Sequence, residues 1–128
     1  MYGFSTNVSG SMGEVVEKVT EALKAEGFGV LTEIDVQATL KKKLNIDRKP
    51  YRILGACNPA LAHQALEAEP DIGLLLPCNV VVREEDDGSI NVAFMDPAAV
   101  LGIVNRDDIT KLGMEVRAKL ERVRDALA

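Results

Sequence analysis

Val80-Val81-Val82-Arg83-Glu84-Glu85-Asp86-Asp87-Gly88-Ser89-Ile90-Asn91-Val92-Ala93-Phe94 is the stretch that decides the fold of this chain. Asp87-Gly88 is a hairpin-turn dipeptide, because glycine takes up the positive φ that such a turn demands. Beyond it, Ile90, Val92 and Phe94 alternate with small or polar residues, the period of a strand with one buried face. Before it, Ile72 to Arg83 is almost continuously apolar and reads as a buried strand, in which Pro77 must occupy an edge, a bulge or the strand start. The two runs form an antiparallel pair.

Upstream, Tyr51 to about Ala56 reads as another strand, followed by Asn58 as helix N-cap and Pro59 at the first helical position; this helix ends near Pro70. One helix therefore joins the strand ending at Cys57 to the segment holding Cys78, which places the two as neighbours with both cysteines on one side of the sheet. Phe28 to Val36 alternates, with Phe28, Val30, Ile34 and Val36 on one face and Glu33 and Asp35 on the other with Leu31. A short helix of about Ala38 to Leu44 follows, carrying Lys41, Lys42 and Lys43. Nearer the start, Tyr2 to Val8 is a first strand, and Ser11-Met12-Gly13-Glu14 has the form of a capping box. Met12, Val15, Val16, Val19 and Leu23 keep helical spacing up to Gly27, which closes the helix in a left-handed conformation.

Downstream of the hairpin, Asp96-Pro97 starts a short helix through about Val104. Ile109, Leu112, Val116, Leu120, Val123 and Leu127 then mark a long amphipathic C-terminal helix, on which Glu115 and Lys119 are spaced to pair. The expected architecture is a single domain over residues 1–128, of α+β class: a two-layer arrangement with an antiparallel or mixed sheet of about five strands covered by helices.

Composition narrows the function. Twenty acidic residues against 15 basic ones give a net charge of −5, which opposes the phosphate attraction behind most nucleic-acid binding, so no nucleic-acid partner is expected. Met1 to Thr6 lack a basic-then-apolar leader, and no apolar run approaches the ~20 residues of a membrane span, so the expectation is a soluble cytoplasmic protein without a membrane partner. In that compartment Cys57 and Cys78 are reduced thiols, and their spacing matches neither Cys-x-x-Cys nor a four-ligand zinc pattern. Phosphate-binding glycine loops, dinucleotide fingerprints and H-E-x-x-H are all missing, so no cofactor is named by a motif.

What remains is a small set of candidates. Cys-Asn occurs twice, as Cys57-Asn58 beside Pro59 and as Cys78-Asn79 beside Pro77. Cys57 precedes a helix whose positive end favours thiolate, making it a candidate nucleophile or soft metal ligand; the alternative is that both cysteines are small buried hydrophobes. His63, the only histidine, lies on that helix with Glu67 one turn on, so Cys57, Cys78 and His63 are the candidate catalytic or metal-binding set. About two turns separate Cys57 from His63, ~9 Å at the usual rise, too far for direct proton transfer. Glu33 and Asp35, with Asn58 and Asn79, are candidate ligand-binding residues, and the cluster Lys41, Lys42, Lys43, Arg48, Lys49 and Arg52 offers a basic surface. Solvated carboxylates and lysines on an open face are the favoured account of these charged residues, and a surface histidine that of His63.

Gly29-Val30-Leu31-Thr32-Glu33-Ile34-Asp35-Val36, Tyr51-Arg52-Ile53-Leu54-Gly55-Ala56-Cys57-Asn58-Pro59 and Gly73-Leu74-Leu75-Leu76-Pro77-Cys78-Asn79-Val80-Val81-Val82 together resemble the bacterial and archaeal family called domain of unknown function 302. The resemblance covers essentially the whole chain. It implies a small α+β protein that pairs as a homodimer and whose biochemical role is not established. By position, its motif residues are Glu33, Asp35, Cys57, Asn58, Pro59, Pro77, Cys78 and Asn79, with His63 as a frequent companion. Three functions follow: a non-enzymatic module binding a small ligand, metal or protein near the two motifs; a thiol-dependent redox or sulfur-transfer enzyme using Cys57 and Cys78; or a structural homodimer without a small-molecule site. A composition of 47% hydrophobic and 4% aromatic residues is compatible with the implied pairing, which would cover any apolar surface that one small core leaves outside, although composition alone does not prove an excess. A two-fold interface could also join His63 from each chain in one site.

Overall fold

The computed structural model describes residues 1–128. In chain order the elements are β1 (Gly3–Val8), α1 (Met12–Ala25), β2 (Gly29–Asp35), α2 (Val36–Leu44), β3 (Tyr51–Cys57), α3 (Pro59–Ala68), β4 (Cys78–Glu84), β5 (Ile90–Met95), α4 (Pro97–Leu101) and α5 (Asp107–Leu127), with 3-10 turns at Pro70–Leu75 and Gly102–Val104. The strands form one sheet in the order β1-β5-β4-β3-β2, and every neighbouring pair is antiparallel. The α+β expectation holds, and the sheet is antiparallel rather than mixed.

One face of the sheet makes the core. Val80 pairs with Phe94 and Val82 with Val92, and all four are buried beside Leu54. Above them lie Val15, Val19 and Leu23 of α1 and Val116, Leu120 and Val123 of α5, in one continuous cluster. On the opposite face, register lines up Ile34, Ile53, Val81, Ala93 and Ser5 in a single cross-strand row, of which none is buried. The protein thus has a helix-covered face and an open face, the arrangement that alternating strands permit.

Local signals act as their chemistry predicts. Ser11 and Glu14 form the reciprocal capping box. Asp96, only 5% exposed, accepts the backbone N–H of Ala98 and Ala99 and a 2.9 Å hydrogen bond from Arg117 Nη1. A buried carboxylate is stable only when its lone pairs are used in this way. Arg117 also pairs with Glu121, and its guanidinium lies over the ring of Phe4, which stacks on Phe94.

Three expectations need correction. The segment Ile72–Leu76 is not strand: Pro70–Leu75 coils as a 3-10 turn, and β4 begins only after Pro77, so proline marks the strand start. Phe28, Val30, Ile34 and Val36 do not share a face. Register shifts between Val30 and Thr32, leaving Leu31 as a bulge, so Val30 lies opposite buried Ala56 whereas Ile34 lies opposite Ile53 on the open face; Val36 is already in α2. Glu115 and Lys119 form no ion pair; Arg117 and Glu121 do. Exposed pairs of this kind contribute only about 0.3 to 0.5 kcal/mol, so the exchange leaves the fold untouched.

The approach of α4 to α5 is set by Gly113, where a Cβ would lie 2.7 Å from the Pro97 carbonyl oxygen and 3.3 Å from the Ala98 Cα. Both are backbone atoms and cannot rotate away. Gly113→Ala is expected to lower stability by about 1 to 2 kcal/mol in urea denaturation, because overpacking of about 1 to 3 kcal/mol outweighs the roughly 1 kcal/mol that alanine adds in a helix interior.

Candidate functional site

Three strand ends meet at one edge of the sheet: β2 starts at Gly29, opposite Cys57 at the end of β3, and Ala56 pairs with Cys78 at the start of β4. Beyond this edge α3 and the 3-10 turn loop out and return, and Leu61 and Ala65 of α3 join the core. The loop leaves a pocket of about 330 Å³. Its lining includes Leu61 and Ala65 of α3, Leu112 and Val116 of α5, Phe28 before β2, Leu31 and Thr32 of β2, and Pro77. Both cysteines and Asn58 line it, and no charged side chain does.

Asn58 fixes the geometry of this edge. Its Oδ1 accepts the Leu61 N–H at 3.4 Å, capping α3, and its Nδ2 donates to the Glu26 carbonyl at the end of α1 at 3.5 Å. The Glu26 carboxylate in turn accepts from Arg122 of α5 at 2.9 Å. One amide therefore ties the start of α3 to the two covering helices. Gly27 completes the junction with φ +84°, and a Cβ there would lie 3.1 Å from Asn58 Nδ2. Gly55 is held to glycine by crowding, since its Cβ would lie 2.2 Å from Thr32 Oγ1 and 2.9 Å from Pro77 Cγ.

The two Cys-Asn pairs, alike in sequence, are placed differently. Asn58 is an N-cap, whereas Asn79 pairs with Gly55 and is exposed on the open face. Cys78 is 6% exposed, and Cys57 is half-buried. β3 and β4 are neighbours as expected, but Cys57 is one residue beyond the direct partner of Cys78, so alternation turns the two side chains to opposite faces and the expectation that both cysteines lie on one side of the sheet is corrected. Sheet spacing puts their α-carbons about 6 Å apart.

The remaining candidates stand elsewhere. His63 is exposed on α3, away from the pocket wall, and forms no hydrogen bond with Glu67, so thiol, imidazole and carboxylate do not converge. Asp35 caps α2 by accepting the Ala38 N–H at 2.9 Å, and Glu33 accepts from Arg52 at 3.4 Å. In the basic cluster, Lys41 pairs with Asp47 and Arg48 lies over Tyr51. No group of three or more histidine, cysteine, aspartate or glutamate side chains is placed to hold a metal ion. Sequence reasoning missed the apolar wall. Leu112 and Val116 come from α5, more than 30 residues beyond Cys78, and only the presence of Leu31 on an otherwise acidic strand face hinted at the bulge beside the pocket.

Residues 4–127 match the family model described as domain of unknown function DUF302. The chain belongs to this family. The crystal structure of an uncharacterised conserved DUF302 protein from Bacillus stearothermophilus superposes with a TM-score of 0.93 at 31% identity, covering 100% of this chain and 99% of that one. No curated protein matches. No helix of this DUF302 protein is long and apolar enough to cross a membrane.

Burial pushes the Cys78 thiol up to about 11, with the nearby Cys57 adding in the same direction. A thiol raised above its unfolded value keeps its proton longer in the folded state, so its contribution to stability is complete below about pH 9 and is lost as pH rises toward 11. Urea denaturation is expected to show stability falling across this window at up to about 1.4 kcal/mol per pH unit, and Cys78→Ala should flatten the slope.

Proposed function

We propose that this DUF302 protein binds a small apolar molecule in the pocket between Cys57-Asn58 and Pro77-Cys78. The observation that carries this reading is the wall itself: about 330 Å³ of space lined mainly by hydrophobic residues, with no charged residue and with Thr32 and Asn58 as its polar ones beside the two cysteines. Small-ligand sites have this size and composition, with few polar groups fixing orientation. A ligand suited to it carries a largely hydrocarbon body and at most one or two hydrogen-bonding groups. The metal reading has weaker support, because His63 stands apart from the thiols.

Ala62 lines the pocket from α3 and is not fully buried, so a larger side chain there fills the space with little disturbance of the core. Titration with the apolar fluorophore N-phenyl-1-naphthylamine is expected to saturate at one site per chain. Ala62→Trp should weaken binding roughly tenfold or more, as loss of a few methylene-sized contacts implies, while leaving the urea midpoint near that of the parent. Unchanged affinity in Ala62→Trp would place the dye elsewhere and sink the reading.

We also infer a homodimer formed through the open sheet face. This reading rests on the row Ile34, Ile53, Val81 and Ala93, together with a depression of about 770 Å³ bordered by Tyr2, Val81, Arg83 and Met95 on the same side. A second copy is the fitting occupant because a two-fold axis matches this face to itself, apolar row against apolar row. Light scattering at micromolar concentration is expected to give twice the chain mass, and Val81→Asp to reduce it to one. A monomeric parent protein would refute the pairing.

A further inference from the structure

We propose that the pocket takes an uncharged single-chain amphiphile of about ten carbons, a primary alcohol, held tail inward with its hydroxyl on Thr32 Oγ1. This deepens, and rests on, the reading of the pocket as an apolar ligand site. The pocket has an inner end and a mouth. Phe28, Leu61, Ala65 and Leu112 are all buried, whereas Leu31 is 66% and Leu66 44% exposed, so the lining grades from core to surface. Thr32 stands on the exposed side, and its hydroxyl forms no hydrogen bond within the chain. That hydroxyl lies beside Pro77, since a Cβ on Gly55 would collide with Thr32 Oγ1 and lie 2.9 Å from Pro77 Cγ. A hydrocarbon tail gains by lying among the buried side chains, and a hydroxyl head gains by staying at the mouth, where Thr32 both donates and accepts. About 330 Å³ holds on the order of ten methylene-sized groups, at the ~30 Å³ that a water-sized group occupies.

The charge of the head is decided by what the wall lacks. No charged residue lines it. A helix start ordinarily suits an anion, but the start of α3 has no free N–H to give the pocket. Pro59 carries none, the Leu61 N–H donates to Asn58 Oδ1, the Ala62 N–H donates to the Asn58 carbonyl at 2.9 Å, and Ala60 lies outside the lining. The Asn58 amide is itself committed, Oδ1 to Leu61 and Nδ2 to the Glu26 carbonyl. The chain as a whole carries a net charge of −5. A carboxylate head would therefore shed its water with no cation in return, or stay outside and draw the tail out with it, each methylene withdrawn lowering affinity roughly fourfold. An alcohol head incurs neither loss, and Thr32 becomes the residue that selects it.

Displacement of N-phenyl-1-naphthylamine, at a pH where carboxylates are fully ionised, compares hexanol, octanol, decanol, tetradecanol and decanoate. Affinity is expected to rise roughly threefold to fourfold per methylene up to decanol, and to level off at tetradecanol once the inner end is full. Decanol should exceed decanoate by about tenfold or more. Thr32→Val keeps the shape of an exposed side chain, so it should leave the fold and the dye affinity unchanged while weakening decanol roughly fivefold, the effect of one lost hydrogen bond. Decanoate matching decanol, a continued gain to tetradecanol, or undiminished decanol binding in Thr32→Val would each overturn the proposal. If the dye saturates one site and Ala62→Trp weakens it while these preferences are missing, the alcohol inference fails alone. If the dye shows no saturable binding, the pocket reading fails and the alcohol inference with it.

Discussion

Everything in this protein depends on a sheet that is buried on one side only. α5 and α1 supply the apolar stripe that Leu54, Val80, Val82, Val92 and Phe94 require, and these side chains form one cluster with Val15, Val19, Leu23, Val116, Leu120 and Val123. Alternation along each strand then dictates which residues meet the helices and which meet the open face. Cys78 and Asn79 are neighbours in sequence, yet this rule separates them: the thiol enters the covered layer, and the amide faces the open side. The same rule concentrates Ile53, Val81 and Ala93 into a row without cover from the core helices.

The pocket follows from the way β3 and β4 are joined. Antiparallel neighbours can be linked by a tight turn, as β4 and β5 are, but here the link is α3 followed by the Pro70–Leu75 turn. The excursion carries the chain beyond the ends of the strands and back, and Asn58 limits how far α3 can move by holding it to Glu26, which Arg122 holds in turn. A pocket lined by Phe28, Leu61 and Leu112 in so small a core forgoes dispersion contacts that one larger side chain at Ala62 or Ala65 would restore. The pocket therefore lies beside the residues that tie this edge together, Asn58 among them.

How much of this was legible in the sequence depends on the range of the interactions. Local chemistry was readable: Asp87-Gly88 turns the hairpin, Ser11 and Glu14 cap α1, Asn58 and Asp96 cap the helices that follow them, and the periodicity of α5 picks out its buried face. The failures lie where tertiary contact overrides a local pattern. Ile72 to Leu76 is apolar enough for a strand, but Ile72 is buried within a 3-10 turn whose sequence has no distinguishing period. Leu31 interrupts the acidic face of β2, and a bulge rather than an exposed strand position explains it. Arg117 with Asp96, and Asn58 with Glu26, join residues far apart in the chain, and no spacing rule anticipates them.

The repeated Cys-Asn pair illustrates the same limit from the side of function. Read as a motif, it presents two equivalent thiols, and equivalence would make either one a nucleophile. Placed in the fold, one pair begins a helix and the other begins a strand, so the thiols differ in access and in electrostatic setting. Burial penalises the charged form of Cys78 strongly enough to keep it neutral through the physiological range, while Cys57 retains contact with the pocket and with the end of α3. Alternation adds a further difference: Cys78 pairs with Ala56 and enters the covered layer, whereas Cys57, one residue beyond Ala56, turns toward the opposite face, so a motif repeated in sequence is not repeated in space.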